Sequence, residues 1–371
     1  MKELGFGLMR LPACSEGENR GAIDLEQTKQ IIDRFLDRGF SYFDTAYIYG
    51  DGASEAAFRE AVVKRYPRDR YTITDKIPMM NLTCAQDMEK TVEIMLERLG
   101  VSYFDYLWLH AISGPNWEKA KKFRSFEYLS ALKERGVTRH IGFSFHGSPQ
   151  LLDEVLTAHP ETEYVQLQIN YLDWNDPIIQ ARACYEVCEK HGKQVIVMEP
   201  VKGGALVDIP REALQKLQML DSDASPASWA IRFAASRKNV CVVLSGMSDM
   251  QQVEENTSVM ADFRPLTLRE EETLESVAEI IRKNIAIACT ACRYCVSVCP
   301  QDIAIPDYFS VYNTYKRFGS KSESDVINYY GYVKEQHGRP EDCLSCGLCE
   351  SRCPQNLNIR EYLKEVHEAL G

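Results

Sequence analysis

The stretch "DLEQTKQIIDRFLDRGFSYFDTA", Asp24 to Ala46, changes its period halfway, and that change decides the fold. Ile31, Ile32, Phe35 and Leu36 recur at helix spacing, and Gly39 ends the run. "SYFDTA" (41–46) then reads as a short strand that finishes on a polar residue, Asp44. Outward from this unit, strand-like runs alternate with amphipathic helical stretches up to about residue 260. The other runs are 5–11, 71–77, 105–110, 139–145, 164–170, 194–200 and 240–246. Eight strands, each followed by a helix-length connection, predict an α/β chain built as a (β/α)8 TIM barrel. A doubly wound sheet also alternates, but typically has fewer strands and a Gly-rich phosphate turn after the first. No G-x-G-x-x-G follows an early strand here.

After "DFRPLT" (262–267) the pattern changes. Residues 268–284 read as one more helix, and then cysteines crowd the chain. The expected organisation is a barrel over 1–265 and a small, mainly α-helical domain over 266–371. Of thirteen cysteines, eight lie in two tight runs after residue 288. Cys184 and Cys188, one helical turn apart, read as small hydrophobes on a buried helix face. The net charge of −11 argues against a nucleic-acid partner. No apolar run is long enough to span a bilayer. "MKELGFGLMRLP" shows neither the apolar core nor the cleavage site of a secretory signal, so the cytoplasm is the expected location.

In a barrel, polar residues at the C-terminal ends of strands are the catalytic candidates. Strand two ends at Asp44 and runs on to Tyr49; strand three carries Lys76; strand four ends at His110. Their chemistry is coherent. A tyrosine hydroxyl is a poor acid at neutral pH unless a nearby cation favours its ionised form. Lysine supplies that cation, aspartate keeps it charged, and histidine can orient a carbonyl oxygen. The set could protonate a carbonyl oxygen while hydride arrives at carbon.

The pieces "GFGLMRLP", "FDTAYIYG" with Glu55, "TDK", "LWLH", "GFSFH", "QLQIN", "MEPVKGG" and "LSGMSDMQQVEEN" resemble the aldo-keto reductase family over residues 4–260. The resemblance implies reduction of a small aldehyde or ketone by NADPH, bound without a Rossmann fold. It implies Tyr49 as proton donor, His110 as substrate orienter, and Asp44 with Lys76 as tuners. By position, Ser144, Gln166 and Asn170 would lie near the nicotinamide. Ser245, Gly246, Met247, Gln252, Glu255 and Asn256 would meet the adenine half, with Met9 and Arg10 of strand one completing the cofactor contacts. Met198 stands where many members stack an aromatic on the nicotinamide. Gly246 and Gln252, with Asp249 nearby, stand where basic residues often meet a 2′-phosphate, so NADH is the alternative to NADPH. Trp117 and Trp174 are candidate pocket walls.

"CTACRYCVSVCP" (289–300) and "CLSCGLCESRCP" (343–354) repeat C-x2-C-x2-C-x3-C-P, the spacing of bacterial two-cluster ferredoxins. Zinc also suits thiolate clusters, but the third Cys and the repeated C-P ending favour two [4Fe–4S] clusters. In that pattern the fourth Cys crosses to the other cluster. The implied sets are Cys289, Cys292, Cys295 with Cys353, and Cys343, Cys346, Cys349 with Cys299. The tyrosine-rich stretches 305–319 and 322–338 read as helices whose aromatics serve packing. Three roles follow, in order of preference. The first is a carbonyl reductase whose clusters are structural or dock a redox partner protein. The second is a one-electron oxidoreductase in which the clusters feed the barrel, and the third a non-catalytic nucleotide sensor. Coupling hydride to one-electron chemistry normally takes a flavin. No flavin motif is visible, though a barrel mouth could hold one without a motif.

Overall fold

The computed structural model describes residues 3–14, 21–177, 179–318 and 323–371. Eight parallel strands close into a barrel in sequence order. They are β1 (Glu3–Gly7), β2 (Tyr42–Asp44), β3 (Thr72–Ile77), β4 (Phe104–Ile112), β5 (Thr138–Phe145), β6 (Tyr164–Gln168), β7 (Gln194–Met198) and β8 (Val240–Ser245). The closure is β1 on β8, with Leu4 opposite Val243.

The outer helices form for the reasons the opening stretch showed. Asp24 caps the helix Leu25–Asp37 by accepting from the Gln27 N–H. Its residues Ile31, Ile32, Phe35 and Leu36 are all buried. Phe35 meets Phe6 of β1 edge-on at 5.3 Å and lies 5.4 Å from Phe43 of β2. Burial of each such side chain contributes about 1.5–3 kcal/mol, so Phe35→Ala would be the most damaging single change on this face.

Within the barrel, Tyr42, Trp108, Ile196, Val242 and Leu244 form one apolar cluster, edged by Tyr106, Tyr164 and Met198. The room for these rings comes partly from Gly142. A Cβ there would lie 2.3 Å from the Tyr164 carbonyl oxygen and 2.6 Å from the Trp108 ring. Because side chains alternate along a strand, residues two beyond this cluster share its face. Those residues are Asp44 after Tyr42, His110 after Trp108, Gln166 after Tyr164 and Met198 after Ile196. The aromatic layer is therefore the floor of the polar one.

Strand ends differ from the sequence expectation for local reasons. β1 stops at Gly7, and Leu8–Arg10 form a 3-10 turn that takes Met9 and Arg10 out of the strand. β6 stops at Gln168 because the Asn170 side chain accepts from the Leu172 and Asp173 N–H groups and starts a turn. β4 runs two residues further than expected, through a register shift between Leu109 and Ile112 where Ala111 takes φ +56°.

The chain divides into two compact units. One is Met1–Asn175, Gln180–Pro200 and Ala227–Thr267; the other is Asp176–Ile179, Val201–Pro226 and Leu268–Gly371. The second unit thus recruits the segment after β7, which the sequence reading left with the barrel. Its helices include Arg211–Gln218, Leu268–Asn284, Ile305–Phe318, Glu323–Gln336 and Ile359–Leu370. Tyr308, Tyr312 and Tyr330 are buried in its core with Phe309, Leu363 and Val366, so these tyrosines serve packing. Among its described residues there is no strand, only a bridge between Ile303 and Gly338.

Candidate functional site

The polar layer above the barrel aromatics brings together the four residues singled out at the strand ends. Lys76 is fully buried and donates to Asp44 Oδ1 at 2.5 Å and to the Thr45 carbonyl at 2.6 Å. The second oxygen of Asp44 accepts from Gln166 Nε2 at 2.9 Å. Burying an ammonium without such partners would cost several kcal/mol, so the acceptors fix where the lysine can point. Tyr49 opens a turn in which Gly50, Asp51 and Gly52 all have positive φ. This reversal brings the Tyr49 ring back over the lysine, with Nζ 5.0 Å from the ring centroid. The same ring meets His110 edge-on, the centroids 5.9 Å apart.

Electrostatics assign different states to these groups. Burial pushes the Asp44 carboxyl above its ordinary range, against the opposite pull of Lys76 and Gln166. Burial, with the charge of Lys76 and then that of His146, holds His110 well below the usual imidazole value. His110 is therefore neutral at physiological pH and can donate a hydrogen bond without carrying charge.

Several positions expected to touch a nucleotide are engaged within the chain. Gln166 serves Asp44, as above. Ser144 Oγ accepts from the Ala111 N–H at 2.8 Å and so pins the bulge that follows His110. Asn170 donates to Asp173 and to the Glu199 carbonyl, holding the β6 and β7 ends together. Asn256 donates to Ser245 Oγ, and Gln252 bonds Asp249 and the Ser248 N–H. Ser248 Oγ in turn donates to the Arg10 carbonyl, tying the turn after β1 to the segment after β8. Met247 is fully buried, which gives its side chain to packing. Met9 and Met198 are half-buried and Gly246 is exposed, while burial raises the Glu255 carboxyl. Trp117 is buried, its indole N–H donating to Glu154. Trp174 lies against Tyr185 and Phe233.

Sequence reasoning missed a carboxyl pair behind the lysine. Asp75 Oδ1 accepts from the Lys76 N–H at 2.8 Å, and Glu55 Oε2 accepts from Arg98 at 2.9 Å. Both acids are fully buried and interact with each other, and among the described residues Glu55 Oε1 and Asp75 Oδ2 have no other hydrogen-bond partner. Burial pushes Glu55 up to about 7, and burial plus the Glu55 charge lifts Asp75 well above its ordinary value. Two adjacent buried carboxyls hold a proton between them. The signal was the one acid in "TDK", Asp75, in a motif read only for its lysine.

In the second unit, Cys289, Cys292, Cys295 and Cys353 line one pocket, and Cys299, Cys343, Cys346 and Cys349 line another. The two runs fold alike. Residues flanking each middle cysteine, Ala291 and Arg293, then Ser345 and Gly347, have positive φ. After each fourth cysteine, "CPQDIAI" (299–305) and "CPQNLNI" (353–359) repeat a turn. There the Asp302 and Asn356 N–H groups donate to Cys299 and Cys353 carbonyls. That second repeat also escaped the sequence reading. Among the described residues, no three Cys, His, Asp or Glu side chains converge closely enough to grip one ion. Thiols spread around a pocket instead fit a cubane, whose corners are held separately. Burial pushes the Cys295 and Cys353 thiols up and Cys349 to about 11, so bound metal would be what keeps them as thiolates. Cys184 and Cys188 are buried in the helix Ala181–Lys190, with Cys184 pushed up to about 12; they are inert hydrophobes.

Among the described residues no helix is long and apolar enough to cross a membrane. Residues 288–357 match the 4Fe-4S dicluster domain. An aldo-keto reductase of Mycolicibacterium vanbaalenii is 29% identical over 262 residues, covering 70% of this chain and 86% of that protein. L-galactose dehydrogenase of Arabidopsis thaliana is 27% identical, covering 76% and 92%. An aldo-keto reductase from Bacillus halodurans, solved in its holo form, superposes with a TM-score of 0.59 at 24% identity, covering 74% and 91%. One from Klebsiella pneumoniae, solved with NADPH, gives 0.59 at 18% identity, covering 74% and 90%. The Aldo/keto reductase family model matches residues 3–282, and the chain belongs to that family of oxidoreductases.

Proposed function

We propose that this enzyme reduces a small aldehyde or ketone with a nicotinamide cofactor, and that Tyr49 is the proton donor. The observation that carries the reading is the buried Lys76–Asp44 pair with the Tyr49 ring 5.0 Å from the ammonium. The reduced nicotinamide supplies the hydride when bound. The chain's own groups handle the oxygen. His110, neutral, donates to the carbonyl oxygen and orients it. Tyr49 delivers its hydroxyl proton to that oxygen as charge develops there, and Lys76 stabilises the phenolate left behind. Asp44 and Gln166 keep Lys76 in place. The residues after β1 and β8, with Met198, are the proposed nucleotide contacts. Asp249 already caps the helix Met250–Ala261 by accepting from the Gln252 N–H. A carboxylate at that helix start weighs toward NADH over NADPH.

The two four-thiol pockets are proposed to hold two [4Fe–4S] clusters, with Cys353 and Cys299 each serving the cluster of the other run. A one-electron role has its own support: Cys346 is exposed between exposed Leu344 and Leu348, an edge open to a redox partner protein. The test of the main reading is Tyr49→Phe. It should lower kcat/KM for an aliphatic aldehyde by about 10²–10⁴-fold with nicotinamide binding retained. Full activity in that variant would remove Tyr49 from the proton path.

A further inference from the structure

The turn that carries Tyr49 has an unusual backbone, and part of what holds it comes from outside the barrel wall. Gly50, Asp51 and Gly52 take φ +57°, +53° and +91° in succession. Asp51 is no glycine, so the chain there adopts a conformation that L residues seldom choose. The neck of the turn is closed by Thr45 and Ser54, whose hydroxyls lie 2.7 Å apart. Its middle is held by Arg98, from the helix Asp87–Leu99. Arg98 Nη1 donates to the Tyr47 carbonyl at 3.2 Å and to Glu55 Oε2 at 2.9 Å. The guanidinium carbon lies 4.5 Å from the Tyr47 ring centroid, and a Cβ on Gly52 would stand 2.5 Å from that carbon. Gly52 thus gives the arginine its seat, and the arginine grips residues on both sides of Tyr49.

Glu55 passes this hold to the strand of the lysine. Side chains alternate along a strand, so Asp75 points away from the barrel interior that Lys76 enters. There it meets Glu55, and both acids are fully buried. Asp75 Oδ1 accepts from the Lys76 N–H at 2.8 Å. The other two oxygens, Glu55 Oε1 and Asp75 Oδ2, have no further partner among the described residues. Two facing carboxylates would repel, whereas one proton between them ties them together and leaves a single negative charge. Arg98 balances that charge in its ion pair with Glu55. Asp75 immediately precedes Lys76, and Glu55 follows Tyr49 by six residues, so the pair joins the two segments that the proton transfer uses.

We propose that Arg98, Glu55 and Asp75 are positioning residues for Tyr49. Through one shared proton they lock the turn that carries the phenol to the strand that carries Lys76. The hydroxyl and the ammonium are thereby kept in the geometry that proton transfer needs. This rests on the reading of Tyr49 as the proton donor.

The experiment compares variants of the full chain by single-turnover nicotinamide oxidation with an aliphatic aldehyde, by steady-state KM and by urea unfolding. Arg98→Met releases the turn. It should slow the single-turnover step by roughly 10- to 100-fold and leave KM for aldehyde and nicotinamide within about threefold. Asp75→Ala should do the same, because Glu55 loses the partner that ties it to β3. Asp75→Asn should rescue the step to within about threefold of wild type. Its amide oxygen can accept from the Lys76 N–H and its amide N–H can donate to Glu55, a permanent version of the shared proton. Should Arg98→Met fail to fold, Arg98→Lys takes its place. It keeps a cation for Glu55, loses the flat group seated on Gly52, and should still slow the step about tenfold. Folded Arg98 and Asp75→Ala variants that turn over at the wild-type rate overturn the proposal. So does a loss carried by KM alone, or an Asp75→Asn protein as slow as Asp75→Ala. Full activity in Tyr49→Phe would remove the reading beneath it, whereas a slow Tyr49→Phe beside fast Arg98 and Asp75 variants removes the positioning role alone.

Discussion

Replacing Lys76 by Met separates the electrostatic role of the lysine from its structural one. The ammonium lies 5.0 Å from the Tyr49 ring centroid. At an effective dielectric of about 20, unit charges that far apart interact by about 3 kcal/mol. If half a charge has developed on the phenol oxygen in the transition state, the loss is about 1.5 kcal/mol; a full charge doubles it. Lys76→Met should therefore lower kcat/KM for carbonyl reduction by roughly 10- to 100-fold. It also strands Asp44, buried with the Gln166 amide as its remaining side-chain donor, which costs about 3–5 kcal/mol of stability. The double variant Lys76→Met with Asp44→Leu removes both charges. It should recover most of the stability and none of the rate, because the cation that serves Tyr49 is still missing. Nicotinamide oxidation with an aliphatic aldehyde reads the rate, and urea unfolding reads the stability. A folded Lys76→Met protein with kcat/KM within threefold of wild type would refute the assignment. A double variant as unstable as the single one would show that the pair is not what holds Asp44.

The carboxyl pair behind the lysine gives a pH prediction. Glu55 has a folded pKa of about 7 against an ordinary 4.5, so between those values the fold keeps a proton that the unfolded chain has released. Stability attributable to Glu55 therefore falls as pH rises through that window. Glu55→Gln should flatten the slope of urea midpoints measured across it; an unchanged slope would mean that the pair shares no proton. For the thiols, Cys353→Ser should perturb the same resonance signal as Cys292→Ser, and Cys299→Ser the same one as Cys346→Ser. If Cys353→Ser instead matches Cys346→Ser, ligation is not crossed.

The barrel was legible because its information is local. Period-two runs and helical stripes such as Ile31, Ile32, Phe35 and Leu36 are written in consecutive residues, and the cysteine spacings are equally short-range. Asp44, Tyr49, Lys76 and His110 could be read because strand ends in a barrel converge whatever the loops do. What stayed hidden depends on distant partners or on backbone strain. The Gln166 amide serves Asp44 from 122 residues away, and Lys202 finds Gln355 across 153. Nothing within either segment announces those bonds. The β4 bulge needs a positive φ at Ala111, a residue type that gives no warning of it. The carboxyl pair was illegible for another reason. Its chemistry arises from complete burial of Glu55 and Asp75, and acidic residues are seldom read as core.

The two halves follow different electron rules, and that makes their relation testable by subtraction. The Asp44–Lys76–Tyr49–His110 set is held by bonds among β2, β3 and β6 and by the ring contact of Tyr49 with His110, and in the proposed reaction it moves a proton to meet a hydride, two electrons at once. The thiol sets are complete within residues 289–353, and a cubane passes one electron at a time. Joining the two requires a carrier that can split an electron pair, as a flavin does. If no such carrier works in this chain, iron-depleted protein with an intact barrel should keep its aldehyde reduction. Tyr49→Phe protein should in turn keep clusters that dithionite reduces as readily as in wild type. Loss of turnover on iron removal, with barrel stability and nicotinamide binding unchanged, would reverse that order. Electrons from the clusters would then be part of the reaction, and the tetrad would be serving a one-electron oxidoreductase.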